Sequence, residues 1–300
     1  DKYTILKNVE RVFPGVFCEY NVPQHAFCEQ IYYRVEKHIV KRSDEEAIEA
    51  LDHAFSSAIE RTIQKSVEYG YGMVVDVSGG LDSRMIAAVF AKQNAVHNCK
   101  TIGINYAQTA SMDQKISQRV ARKLNIDLLS YMMDGGNCLK QIDDLVFMNQ
   151  GMNYFLGITG GKTMLELIDR KEYGMELWGI LGDVYEGGMI VEKSIDAPDW
   201  KYPRFRSCRL YDNQNKYREY ADNEIMWFYI RGILAGANTA FIRQNFIEAP
   251  AVYGDVDFLE VLFSIPYEDR TQRHILRKWM IRKYKEMADI PYSSTKIKVT

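Results

Sequence analysis

From Gln24 to Ala197 the chain contains no proline; all seven prolines lie at 14–23 or 198–291. Proline interrupts helices and central strands, so the middle of the chain reads as element-rich, with irregular flanks. Within it, short apolar runs alternate with helical periodicities. Ser43-Asp44-Glu45-Glu46 fits a capping box. Ala47, Ile48, Leu51, Ala54, Phe55, Ala58, Ile59, Ile63 and Val67 then recur at helical spacing, ending near Gly70 or Gly72. Met73–Val77, Lys100–Ile104, Ile126–Met132 and Met175–Leu181 predict strands. Ser83–Asn94, Met112–Leu124, Leu139–Asn149 and Lys162–Lys171 predict helices. Strands alternating with helices predict an α/β fold, a parallel sheet with helices on both faces. After about residue 195 the pattern changes. A polar, proline-containing stretch at 196–215 precedes helical patterns at 217–247, 255–264 and 270–288. The expected organisation is a connecting segment over 1–40, the α/β core over 41–195, and a mainly helical part over 196–300 that completes the site.

At 300 residues the chain is long enough for a full core without disulfide or metal staples. Thirty-eight basic against 40 acidic residues leave a net charge of −2, which removes any global argument for nucleic acid or an anionic membrane. Apolar runs such as Gly72–Val77 are too short to span a bilayer. The start, DKYTILKNVE, lacks the basic and apolar regions of a signal peptide. Five cysteines (Cys18, Cys28, Cys99, Cys138, Cys208) form no CxxC pair, which fits reduced thiols and a cytoplasmic location. The five histidines form no HxxxH pattern, so no zinc site is expected.

The segment with chemical content is Ser78-Gly79-Gly80-Leu81-Asp82-Ser83, between a predicted strand and a predicted helix. Two glycines let the backbone turn tightly and approach a ligand. The helix start offers free N–H groups and a positive dipole end, and two serine hydroxyls add donors. Asp82 inside this cradle repels an anion unless a cation intervenes, so the residue set points to phosphate bound together with Mg²⁺. The plainer reading is a strand-to-helix turn with Asp82 and Ser83 as caps.

SGGLDS resembles the SGGxDS signature of the PP-loop ATP pyrophosphatases, Rossmann-like enzymes that split ATP to AMP and pyrophosphate and adenylate a substrate. Three further segments are similar to the synthetase domain of the asparagine synthetase family. Residues 178–189 (WGILGDVYEGGM) resemble SGEGADELFGGY. Residues 248–266 (EAPAVYGDVDFLEVLFSIP) resemble its "R-PFLD…iP" stretch, and Arg273-His274-Ile275-Leu276-Arg277 resembles its K-x-x-LR helix. Residues 7–17 (KNVERVFPGVF) resemble the connection leaving the family's glutaminase domain, so the chain reads as a fragment or a stand-alone synthetase domain. The acidic pair that opens the helix after the next strand appears as Asp113-Gln114. Two glutamates of SGEGADE are replaced by Ile180 and Val184, and an isoleucine can neither take a proton nor hold a cation.

The resemblance implies roles residue by residue. Ser78, Gly79, Gly80, Leu81 and Ser83 would hold the phosphates of ATP. Asp82 and Asp183 would hold Mg²⁺, with Asp183 close to the reacting groups. Val77, Ile102, Gly103, Trp178 and Gly179 would line the adenosine pocket, although core packing explains Ile102 equally well. Lys296, preferred over Lys298, would stabilise the transition state. Residues 270–300 hold four arginines and five lysines against Glu286 and Asp289. Arg270, Arg273 and Arg277 at helical spacing read as a positive wall beside the triphosphate, with Arg277 in contact, or as a solvated basic face. The implied activity is ATP-dependent amide formation: a small-molecule carboxylate is adenylated, and ammonia or an amine then displaces AMP. The implied cofactors are ATP and Mg²⁺. The implied partners are a glutaminase domain, fused or in trans, and a second copy in a homodimer; no membrane and no nucleic acid are expected. The rival readings are a nucleotide-binding module with lost or altered turnover, and another PP-loop adenylating enzyme, such as one that modifies tRNA.

Overall fold

The computed structural model of the chain describes residues 7–149, 151, 161–185, 224–225 and 228–299. Its centre is a four-stranded parallel sheet in the order β5-β4-β3-β6, formed by β3 (Gly72–Asp76), β4 (Thr101–Ala107), β5 (Leu128–Met132) and β6 (Tyr173–Leu177). Helix α1 (Asp44–Glu68) precedes β3, and α2 (Asp82–His97), α3 (Met112–Leu124) and α4 (Ile142–Met148) follow β3, β4 and β5. β3 pairs with β4 on one side and with β6 on the other. The sheet therefore reverses its winding between β3 and β6, and such a switch point opens a crevice at the carboxyl ends of the strands.

Strand periodicity divides β3 between two cores. Met73, Val75 and the following Val77 join α1 and α2 in the main cluster, with Phe55, Ile59, Phe90, Phe258 and Trp279. Val74 joins Ile104, Met164, Leu165, Ile168 and Ile247 on the other face. Covered on both faces, β3 shows no polar alternation and holds one charged residue, Asp76.

The capping box at Ser43 is formed. The Ser43 amide donates to Glu46 Oε2 at 2.8 Å, and the Glu46 amide donates to Ser43 Oγ at 3.3 Å. Ser43→Ala is expected to cost about 1 kcal/mol, read as a lowered urea midpoint at unchanged slope. Helices α2 and α3 end at Asn98 and Asn125, both left-handed, a conformation asparagine tolerates well.

Several expected elements differ. β4 runs to Ala107 rather than Ile104, and β6 ends at Leu177 rather than Leu181. The helix expected over 162–171 spans Gly161–Glu166. The expected polar stretch at 196–215 and, of the pattern at 217–247, residues 217–223 and 226–227 lie outside the described residues; Phe228–Gly236 is a π-helix and Ala240–Arg243 a short α-helix. An antiparallel hairpin, β1 (Val16–Asn21) with β2 (Ala26–Ile31), stands where only a connection is expected. Every residue of β2 is exposed, so no alternation of hydrophobicity marks it.

The pattern at 270–288 breaks into Tyr267–Arg270, His274–Lys283 and Lys285–Ala288. Gln272 and Arg273 interrupt it with φ of 53° and 62°. Arg270, Arg273 and Arg277 therefore do not share one helical face, which corrects the expected positive wall. Arg270 is fully buried and holds Glu224 through both guanidinium nitrogens. Burial pushes the Glu224 carboxyl up, but Arg270 outweighs it and leaves the group below its usual range. Much of the remaining basic charge meets the acidic start of α1: Lys278 pairs with Asp44, Arg282 with Glu45 and Lys283 with Glu49. Asp52 accepts from Trp279 Nε1 at 2.8 Å and from the Tyr284 hydroxyl at 2.9 Å. The basic C-terminal stretch is thus a docking surface for α1.

Candidate functional site

A cavity of about 460 Å³ opens at the switch point. Val77, Ser78, Gly80, Asp82 and Ser83 line it from the β3–α2 turn. Trp178, Gly179, Ile180, Leu181 and Asp183 line it from the loop after β6. The two segments singled out by motif, about 100 residues apart in sequence, thus face one space.

The β3–α2 turn is preorganised. Ser83 Oγ lies 2.6 Å from Ser78 Oγ and accepts from the Ser78 amide at 3.2 Å. The Gly80 amide donates to Ser78 Oγ at 3.2 Å. Neither Asp82 nor Ser83 caps α2: its N-cap is Leu81, with no side-chain cap. Two expected phosphate contacts turn elsewhere. The Gly79 amide donates to Asp113 Oδ1 at 2.8 Å, and Leu81 is buried in the main core. Asp113 Oδ2 also accepts from Asn105 at 3.1 Å, so the start of α3 fastens the turn.

Close packing explains the second glycine pair. A Cβ on Gly179 would lie 2.9 Å from the Ser83 amide nitrogen, and one on Gly182 would lie 2.7 Å from Asp82 Cβ. The loop bearing Asp183 therefore lies directly against Asp82. Gly179→Ala pushes against helix backbone that cannot yield. It is expected to cost about 1–3 kcal/mol and to weaken ATP binding, read by denaturation and calorimetry. Leu181, in the same loop, is buried with φ of 73°, a costly conformation for a branched side chain that surrounding packing must impose.

Asp82 is engaged. Arg273 Nη1 donates to its Oδ1 at 2.7 Å and Nη2 to its Oδ2 at 3.3 Å. The Tyr253 hydroxyl donates to the Asp82 carbonyl at 3.0 Å. The left-handed backbone at Gln272 and Arg273 stands where this fork is delivered. Among the described residues no group of three or more His, Cys, Asp or Glu is arranged to hold a metal. Two carboxylates on abutting loops are nevertheless the donor set Mg²⁺ takes when phosphate and water supply the remaining oxygens.

The C-terminal segment is clamped beneath the turn. Arg84, fully buried, donates to the carbonyls of Met287, Ile290 and Pro291 at 3.1, 2.6 and 3.0 Å, and to that of Gly79 at 3.4 Å. Burial, with repulsion from Arg119, lowers its pKa to about 10. The Ser293 amide donates to the Gly79 carbonyl at 2.9 Å.

Besides Gly79 and Leu81, the expected residues Ile102, Gly103, Arg277 and Lys296, with its alternative Lys298, lie outside the cavity lining. Lys296 is exposed, in a turn with φ of 60°, and Lys298 pairs with Asp289 at 3.2 Å. Arg277 reaches the Tyr292 hydroxyl at 3.4 Å. Ile102 packs against the second core, and Gly103 abuts the connection into β5, where a Cβ would be 2.9 Å from Ile126. The reason for the last two is the length of β4. Its carboxyl end lies three residues later than expected, so Ile104, Asn105 and Tyr106 line the cavity instead.

A buried polar cluster at the ends of β3 and β6 has no counterpart in the motif reading. Arg243 pairs with Glu176, donates to Asp76 Oδ2 at 3.3 Å and to the Tyr106 hydroxyl at 3.0 Å. Its guanidinium lies 4.4 Å from the centre of the Trp178 ring, a cation–π contact. The Trp178 Nε1–H donates to the Ala249 carbonyl at 3.2 Å. Burial raises the Asp76 pKa against the opposing pull of Arg243, and burial raises that of Tyr106. One signal marks Asp76 in the sequence: an acid within the apolar run MVVDV, just before the glycine pair. Nothing local marks Arg243, 167 residues away.

No helix among the described residues is long and apolar enough to cross a membrane. No curated protein matches the sequence. Among solved structures, NMN synthetase from Francisella tularensis is similar at 12% identity and a TM-score of 0.33, over 82% of this chain and 97% of that one. NAD⁺ synthetase from Burkholderia pseudomallei is similar at 13% identity and a TM-score of 0.23, over 40% of this chain and 50% of that one. The asparagine synthase family matches residues 50–227, more than half of the chain, a span that includes both loops of the switch-point cavity. The chain belongs to the asparagine synthase family and is a PP-loop, ATP-dependent enzyme of the ligase type.

Proposed function

We propose that the protein forms an amide bond by way of an acyl-adenylate. A substrate carboxylate attacks the α-phosphorus of ATP, pyrophosphate leaves, and ammonia or an amine then attacks the acyl carbon and expels AMP. The observation that carries this reading is the meeting of the SGGLDS turn and the Asp183 loop at one cavity on the sheet's switch point. On this reading the Ser78 and Ser83 hydroxyls, the Gly80 backbone and the N-terminus of α2 receive the pyrophosphate oxygens. Val77, Trp178 and Gly179 flank the nucleoside. Asp82 and Asp183 hold Mg²⁺, which when bound neutralises charge on the phosphate oxygens. Such preorganised groups supply most of the catalysis in phosphoryl chemistry. Arg273 lies one hydrogen bond from Asp82 and passes its charge to the phosphates as the carboxylate turns to the cation.

The nitrogen source is a glutaminase domain, fused or in trans, or a free amine, and a homodimer is the proposed assembly. Ile180, which faces the cavity, makes a substrate other than aspartate the expectation. The test is pyrophosphate release from ATP and Mg²⁺, first with aspartate and ammonia and then with a panel of carboxylates and amines. Release that depends on one carboxylate supports the reading. ATP binding without release for any acid, with a glutaminase partner supplied as well, replaces it with a nucleotide-binding module.

A further inference from the structure

Beneath the SGGLDS turn lies a buried cation without a carboxylate. Arg84 follows Ser83 on α2 and is fully buried. Its guanidinium is directed at four backbone carbonyls: Met287, Ile290 and Pro291 of the C-terminal segment, and Gly79 of the turn. Its Nε has no partner among the described residues, and burial and Arg119 both disfavour its charge. A buried charge without an opposite charge is costly. An anion brought to the turn above offsets that cost, whereas a neutral ligand does not.

The carbonyl that Arg84 holds belongs to the same peptide unit as the Gly80 amide. A trans peptide points its C=O and its N–H in opposite directions. The Gly79 oxygen accepts from Arg84 Nη2 at 3.4 Å and from the Ser293 amide at 2.9 Å, both on the side of the C-terminal segment. The Gly80 N–H is thereby turned the other way, towards Ser78 Oγ at 3.2 Å, and Ser78 and Gly80 line the cavity while Gly79 does not. Donors on the carbonyl also polarise the N–H at the other end of the unit. Gly79 has no room for a side chain, since a Cβ would lie 2.9 Å from Ser293 Cβ and 3.0 Å from Asp113 Oδ1.

We infer that Arg84 is a positioning residue for the leaving pyrophosphate: it holds the Gly79–Gly80 peptide with the Gly80 N–H towards the phosphate oxygens, and its uncompensated charge attracts them from beneath the turn. This rests on the reading above, in which pyrophosphate leaves from the β3–α2 turn, and adds to it a group that acts through the backbone of the turn. The C-terminal segment is part of the same device, because the Ser293 amide shares the Gly79 oxygen.

The test is calorimetric binding of magnesium pyrophosphate and, separately, of adenosine. Arg84→Met should weaken pyrophosphate about 10–100-fold, as expected for a lost hydrogen bond to a charged group, and leave adenosine within about twofold. Arg84→Lys keeps the charge and loses the fork, and should recover part of the loss. Folded variants that bind pyrophosphate like the wild type overturn the inference. So does an equal loss for adenosine, which assigns Arg84 to the scaffold alone. A second measurement uses the wild-type protein. With glycine carrying ¹³C′ and ¹⁵N, only the four Gly-Gly peptides of the sequence give carbonyl–amide correlations. The one from Gly79–Gly80 is identified by its loss in Gly80→Ala, where a Cβ would meet Ser78 Oγ at 3.4 Å. Pyrophosphate should move the Gly80 amide proton downfield, and adenosine should leave it in place. No response to pyrophosphate overturns the inference even where neither Arg84 variant folds. Failure of the underlying reading shows separately, as pyrophosphate that binds normally but is never released from ATP with any carboxylate.

Discussion

Asp82→Asn is expected to reduce pyrophosphate release by about 10²–10³-fold with the fold intact. The isosteric amide keeps the shape that fits against Gly182, where a Cβ would stand only 2.7 Å away. What it loses is charge. In the structure the carboxylate is neutralised by the Arg273 fork at 2.7 and 3.3 Å. On the proposed reading it exchanges this partner for Mg²⁺ when ATP enters. An amide is a poor ligand for a hard cation, so the loss falls on turnover. Both partners of the ion pair are about one-fifth exposed, and a pair of that kind contributes little to stability. A fall in release together with an unfolding midpoint within a few degrees of wild type is the expected pair of results. Arg273→Gln sharpens the test. If the arginine serves only to neutralise Asp82, Mg²⁺ affinity rises in this variant. If it also stabilises the phosphates, turnover falls at unchanged or tighter Mg²⁺ binding. Release unaltered in Asp82→Asn, measured at saturating Mg²⁺, removes the carboxylate from the reaction.

Arg243→Met is expected to destabilise the protein by about 3–5 kcal/mol at pH 7. The side chain is nearly solvent-free and bridges β3, β4 and β6 through Asp76, Tyr106 and Glu176. Methionine fills part of the volume and leaves two buried carboxylates facing each other without a cation. Arg243 is the group that pulls the Asp76 pKa down against burial, so its removal raises that pKa further above the unfolded value near 3.8. A carboxyl with a raised folded pKa favours folding below its unfolded pKa and loses that contribution as pH rises through the folded one. The deficit of Arg243→Met should therefore be largest near neutrality and shrink as pH falls towards 4. Urea unfolding at pH 7 and pH 4.5 reads both. A deficit that stays constant with pH points to lost packing over Trp178 rather than to uncompensated charge.

Much of the scaffold is visible in local patterns. The capping box at Ser43 forms as written, and the apolar stripe from Ala47 to Ile63 is the buried face of α1. α3 spans Met112–Leu124 as expected, because Ile116, Val120 and the asparagine at 125 are all local signals. The run before the glycine pair is the central strand, buried on both faces. Other features carry no local signal. β2 has no buried face and therefore no alternation. The spacing of Arg270, Arg273 and Arg277 is helical, but two left-handed residues break the helix, so one side chain goes to Glu224, one to Asp82 and one towards Tyr292.

The same division holds within the site. SGGLDS and the segment from Trp178 to Asp183 are contiguous, and their glycines and acids are readable one residue at a time. Whether Ile102 or Ile104 faces the ligand depends on where β4 stops, and that is set by its pairing with β5 out to Ala107↔Met132. The Asp76–Arg243–Glu176 cluster depends on strand order: β6 must lie beside β3 before residues 76 and 176 can share a cation from residue 243. By itself the sequence determined the α/β class, the main helices and the phosphate-type turn, since each follows from backbone geometry and burial within a few neighbouring residues. Only the tertiary structure decided what Asp82 pairs with, which end of β4 lines the cavity and where a buried carboxylate is left short of a donor, because long-range charges meet only after the sheet has assembled.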